Sequence, residues 1–172
     1  MGAVVAWRCA VCGDLESDAP LCFGAEAPWR ELVPESEFDE RVDLTPDQCV
    51  VDEQAFFIRG HVEIPVQGQA ESLAFSVWSS LSERSFLHMC ERWDCADRAD
   101  DPPYFGWLST DIPAYPETIN LKLSVQSRAP GRVPLFRLEQ TDHPLAVDQR
   151  QGITEARWHE IAHLLLHTGT DA

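Results

Sequence analysis

Near its end the chain reads RWHEIAHLLLH over residues 157–167, which sets His159, Glu160 and His163 in an H-E-x-x-H arrangement. On one helical turn this pattern offers two imidazoles to a zinc ion and a glutamate that can act as general base toward metal-bound water. A zinc-dependent hydrolase built this way would use Glu160 in catalysis, with His159 and His163 as ligands. A second metal-competent pair lies at the other end, where Cys9-Ala10-Val11-Cys12-Gly13 spaces two thiolates to grip one ion and the glycine lets the turn close. A redox dithiol needs a helix N-terminus at the motif, and DLESDAPLC after Gly13 offers none.

Both readings depend on the elements that carry these side chains. The last helix has a well-defined start: Thr154 is a good N-cap, Glu155 sits in the first turn, and Ile153 and Trp158 are spaced as a hydrophobic staple. Advancing about 100° per residue gathers Trp158, Ile161, Ala162 and Leu165 into one sector and puts His159, His163 and His167 nearly opposite. A third zinc ligand has no recognised place. The metzincin pattern wants a histidine six residues after the second one, whereas His167 follows by four, and nine residues after His163 leave little room for a downstream acid. The glycine-rich and cysteine-containing segments that accompany this motif in peptide deformylases are also absent, which leaves Cys49 or His61 as unconventional ligands. The segment therefore reads as a C-terminal amphipathic docking helix with an exposed histidine stripe.

Upstream, AFFIRGHVEIPV alternates, with Phe56, Ile58, Val62 and Ile64 on one face and Phe57, Arg59, His61 and Glu63 on the other. TINLKLSVQ alternates from Ile119 to Gln126 in the same way. ESLAFSVWSSL, YFGWLST and RVPLFRLEQ read as further strands, SERSFLHMCERW as a helix capped by Ser82, and residues 34–42 as an acidic helix ahead of a turn at Thr45-Pro46-Asp47. The expectation is an α+β fold: a mainly antiparallel sheet with flanking helices, in a single domain over 1–172. Within it, residues 1–24 form a small CxxC knuckle and 25–168 the body.

Composition narrows the function classes. With 172 residues, 44% of them hydrophobic, the chain can bury a core, while 29 acids against 13 basic residues give a formal charge of −16. The first 53 residues hold 13 of those acids and three arginines. Nucleic acid is excluded as a partner because phosphate binding needs a basic footprint, and a basic protein is the partner such a charge would attract. No apolar run is long enough to span a membrane and the N-terminus lacks the pattern of a secretion signal, so the expected location is the cytoplasm, where thiols stay reduced. One lysine against twelve arginines suggests a GC-rich bacterial genome.

The segments CAVCG, LTPDQCVVDEQAFFIRG, EIPV, VWSSLSE, PPYFGWLST, YPETINLK and PGRVPLFRLEQTDHPLAVDQRQGIT, in that order, form a distinctive series. From Cys9 to about Ile161 the chain resembles the bacterial family known as domain of unknown function 2199, for which the resemblance implies no established reaction. It implies that Cys9, Cys12 and Cys49 are shared cysteines, which makes Cys49 the third ligand of any structural zinc, while Glu16 stands where members commonly have a histidine. His159 and His163 are not part of the shared pattern. Thr141-Asp142-His143-Pro144 is, and there Asp142 could orient the His143 imidazole for acid–base work or ligand contact, or could close a polar turn. Trp107, Asn120 and His143, with Trp78, fall near strand ends where a small ligand could bind. Taken together, these features lead to an expectation of a non-enzymatic acidic binding module with a structural zinc. The alternative is a hydrolase centred on the HEIAH helix.

Overall fold

Alternation over AFFIRGHVEI makes the longest strand, β6 (Ala55–Ile64), and the apolar run LAFSVWSSL makes its antiparallel neighbour β7 (Leu73–Leu81), registered from Phe56↔Leu81 to Ile64↔Leu73. This is a computed structural model that describes residues 21–167, together with the backbone of two short strands, β1 (Trp7–Arg8) and β2 (Leu15–Glu16), which pair antiparallel. Cys9, Cys12 and the expected knuckle around them lie outside the described residues. Phe56, Ile58, Val62 and Ile64 enter the main core with Phe75 and Val77, as period two requires.

The chain then meanders through β8 (Tyr104–Leu108), β9 (Lys122–Gln126) and β10 (Leu135–Leu138), each antiparallel to the strand before it. Directions alternate along a meander, so its first and fifth strands point the same way and a ring of five can close only through a parallel pair. β10 closes it against β6 at Leu135↔His61, where the His61 N–H donates to the Pro134 carbonyl at 2.9 Å. The remaining strands attach to edges the barrel leaves open. β5 (Gln48–Val51) pairs with the first half of β6, β4 (Val42–Leu44) with β5, and β3 (Cys22–Gly24) runs parallel to β7. The α+β class holds. The eight-stranded sheet is mixed and contains a closed five-stranded barrel, and Cys22–Gly24, expected in the N-terminal appendage, belongs to it.

Among the described residues four α-helices accompany the sheet: α1 (Phe38–Arg41), α2 (Glu83–Glu91), α3 (Pro144–Gln151) and α4 (Glu155–His167). The expected caps are made, with Ser82 Oγ accepting from the Ser85 N–H and Thr154 Oγ1 from the Arg157 N–H, both at 3.1 Å. Helix α3 departs from the polar turn expected there; Pro144 occupies its first turn, where a missing N–H costs nothing, and His143 caps it. The alternation of TINLKLSVQ also extends further back than the strand does. Asn120 sits at φ +70° and Glu117 at φ +43°, so the backbone turns through 117–120 and leaves Ile119 52% exposed.

Two cores result. The main one fills the barrel, and Phe136 within it passes so close to β6 that a Cβ on Gly60 would lie 2.3 Å from the Phe136 ring. The second roofs the outer face of β6 and β7, packing Trp29, Val33, Cys49 and Val51 onto Phe57 and Trp78. A buried arginine, Arg98, ties the loops that lead into the seam by donating to the carbonyls of Trp93, Arg128, Ala129 and Arg132. Substituting Gly60→Ala should destabilise the fold by about 1–3 kcal/mol through overpacking. Urea unfolding measures that loss, and combining it with Phe136→Leu should recover part of it; an unchanged midpoint for Gly60→Ala would show that the ring can move aside.

Candidate functional site

Helix α4 presents the apolar stripe expected of it, with Trp158, Ile161 and Ala162 buried. His159 and His163 are half-buried, not exposed as the rotation suggests. The His159 ring lies 5.0 Å from that of Trp158, and burial lowers its pKa. Glu160 is exposed and paired with Arg157 at 3.3 Å, one helical turn back. Among the described residues no three His, Cys, Asp or Glu side chains come together to hold a metal ion.

Cys49 is fully buried in the second core, opposite Phe57 on β6. Removing the thiol from water penalises its thiolate, and the pKa is pushed up to about 11. To ligate a metal it would have to lose its proton.

Of the expected ligand-binding residues, Trp107 and Asn120 do meet, lining a cavity of about 210 Å³ together with Lys122 and Thr141. His143 and Asp142 stand apart from it. The His143 Nδ1 accepts the Leu145 N–H at 3.1 Å and Nε2 donates to the Pro116 carbonyl at 2.6 Å, so one ring nitrogen caps α3 and the other ties it to the β8–β9 connection. Asp142 is exposed and does not hold the imidazole; the turn is closed instead by Thr141 Oγ1, which accepts the His143 N–H at 3.3 Å. Trp78 is buried and donates its indole N–H to the Ala25 carbonyl at 3.1 Å.

A cleft that sequence reasoning passed over opens above the second core. It has a volume of about 590 Å³, an aromatic floor of Trp29, Phe38 and Trp78, and carboxylates from Glu26, Glu35 and Asp39. Pro28 in the first turn of one 3-10 helix (Pro28–Glu31) and Pro34 just before another (Glu35–Glu37) stiffen the segment that builds it. The Trp29 and Phe38 rings pack at 4.6 Å. Arg30 lies over the Trp29 ring at 4.5 Å and reaches Glu26 and Glu35, each at 3.3 Å. Residues 21–54 carry ten acids and two arginines, and the second, Arg41, is held by Glu37 and Asp52. Its hydrogen bonds to Asp52 keep that carboxyl below the usual carboxylate range. The run of acids around Trp29 and Phe38 was visible in the sequence, but Trp78 reaches the floor from β7.

These features define a small α+β domain with a closed barrel and surface clefts. The family model for an uncharacterized protein conserved in bacteria (DUF2199) matches residues 8–153, and the chain belongs to that family. No curated protein and no solved structure matches it. Cys9, Cys12, Cys49, Trp107, Asn120, Asp142 and His143 lie within the matched residues, whereas His159, Glu160 and His163 lie beyond them. Among the described residues no helix is long and apolar enough to cross a membrane.

The thiol chemistry is directly testable. With a pKa near 11, Cys49 stays protonated throughout the neutral range, so iodoacetamide at neutral pH should alkylate exposed Cys22 and spare Cys49. Peptide mass spectrometry reads the difference, and equal labelling of the two in folded protein would contradict the burial of Cys49.

Proposed function

We propose that this domain is a non-enzymatic binding module of the bacterial cytoplasm that recognises a basic protein partner through its acidic, aromatic-floored cleft. The observation that carries the reading is Arg30, whose guanidinium lies on the Trp29 ring and between the carboxylates of Glu26 and Glu35. The cleft thus already has a guanidinium seated by an aromatic face and flanking acids, which is the mode a partner's arginine or lysine would use. Asp39 lines the same cleft and adds a carboxylate for an incoming cation. The ten acids of residues 21–54 would steer a basic surface toward it, with charges at the rim acting more on association rate than on affinity.

A hexa-arginine peptide titrated calorimetrically into the full chain should bind at low salt and weaken as ionic strength rises. A Glu35→Gln, Asp39→Asn double variant should weaken that binding about threefold or more, the scale of two exposed ion pairs, while Glu83→Gln on α2 leaves it unchanged. Equal affinity for the double variant and the parent protein would overturn the assignment of the cleft.

A structural zinc on Cys9 and Cys12 belongs to the same proposal, with Cys49 left in the second core. Native mass spectrometry of untagged protein should then show zinc lost in Cys9→Ser and kept in both Cys49→Ala and His163→Ala; loss in the histidine variant alone would move the metal to α4.

A further inference from the structure

Twenty-nine acids share this chain with thirteen basic residues, so a cation without a carboxylate departs from what the composition favours. Among the described residues six arginines are held by carboxylates: Arg30, Arg41, Arg59, Arg92, Arg128 and Arg157. Lys122 and Arg137 are both exposed and have no carboxylate partner among the described residues, yet they line one cavity of about 400 Å³ on the outer wall of the barrel. Lys122, the only lysine in the sequence, instead holds its Nζ 5.6 Å from the centre of the Trp107 ring.

The strand register sets out this cavity. Phe105 pairs with Ser124 and Ser124 with Arg137, so three outward side chains form one row across β8, β9 and β10. With neighbouring strands about 4.8 Å apart, Phe105 and Arg137 stand about 10 Å from each other across the small serine. In the adjacent row Trp107 pairs with Lys122. Phe105 is 55% exposed and Trp107 39%, and their rings meet edge to face at 5.3 Å. Two adjoining aromatic rings left in water form an unfavourable solvent boundary and a suitable wall for a flat ligand. Glu139 is the acid among the lining residues.

The geometry points to this trough as a binding site for a small planar anion, a ring bearing a carboxylate or a phosphate. The ring lies against Phe105 above Ser124, with Trp107 beside the trough in edge contact with Phe105, and the anionic group reaches Lys122 and Arg137. A cavity of about 400 Å³ lies within the range of small-ligand pockets. The site is separate from the acidic cleft, opposite to it in the charge it selects, and independent of that reading.

The test follows the tryptophan indole N–H signals of the full chain by nuclear magnetic resonance, with Trp107→Phe assigning the one that matters. The probes are adenosine monophosphate and 4-hydroxybenzoate, with adenosine and 4-hydroxybenzamide as their uncharged counterparts. At least one of the two acids should shift the Trp107 signal saturably, and its uncharged counterpart should bind about tenfold more weakly. Arg137→Glu should weaken the acid by a similar factor, while Arg84→Glu on α2, which reverses another exposed cation, should leave it unchanged. Which acid binds better tells whether the site prefers phosphate or carboxylate. No saturable shift with either acid, equal binding of the uncharged counterparts, or indifference to Arg137→Glu would each overturn the proposal.

Discussion

Phe136 packs directly against the backbone of β6 at Gly60, and the rest of the barrel is arranged around that approach. The five-stranded meander has to close through a parallel pair, and its seam is the single register pair of Leu135 with His61, flanked by the His61 N–H bonded to the Pro134 carbonyl. So short a seam is secured by packing rather than by a long ladder. The absence of a side chain at Gly60 lets a large ring fill the interior there, and Arg98 holds the approaching loop by its carbonyls.

Closure also explains where the surfaces come from. β6 and β7 are longer than the barrel needs, and their surplus edges recruit β5 and β3, whose attachment brings the acidic segment over Phe57 and Trp78. That second core both buries Cys49 and floors the cleft beside Arg30. Among the described residues no such roof covers the barrel wall built by β8, β9 and β10, and Phe105 and Trp107 are exposed. The covered wall carries the acids, and the bare one carries Lys122 and Arg137.

What was legible in the sequence was local. The alternation of Phe56 to Ile64, the Ser82 and Thr154 caps and the apolar stripe of α4 depend on neighbours a few residues away, and each appears as expected. Trp107 and Asn120 also come together, since the connection from β8 returns to bond the Asn120 N–H to the Leu108 carbonyl, next to Trp107. What escaped depends on partners far along the chain: the parallel seam between residues 61 and 135, the β3–β7 pair, and the delivery of Trp78 to the floor beneath Trp29. His143 escaped for a different reason. Its histidine-proline context suits an orienting acid–base pair as well as a helix cap, and only the Pro116 carbonyl, brought up by the turn through Glu117 and Asn120, decides between them. The half-burial of His159 and His163 likewise comes from what packs beside α4, which rotation about a helix axis cannot supply.

The short parallel seam has a consequence for how the chain comes into being. Four strands of the barrel can pair, each with its predecessor, as they leave the ribosome, but β6 must wait with half of one edge unpaired until residue 135 has been added. During translation the protein is therefore an open, curled sheet whose apolar inner face and free edge are exposed together, the state in which a chain is most prone to join its neighbours. The acids of residues 21–54 are synthesised before any of these strands, and the mutual repulsion they bring gives each unfinished chain a reason to keep away from the next.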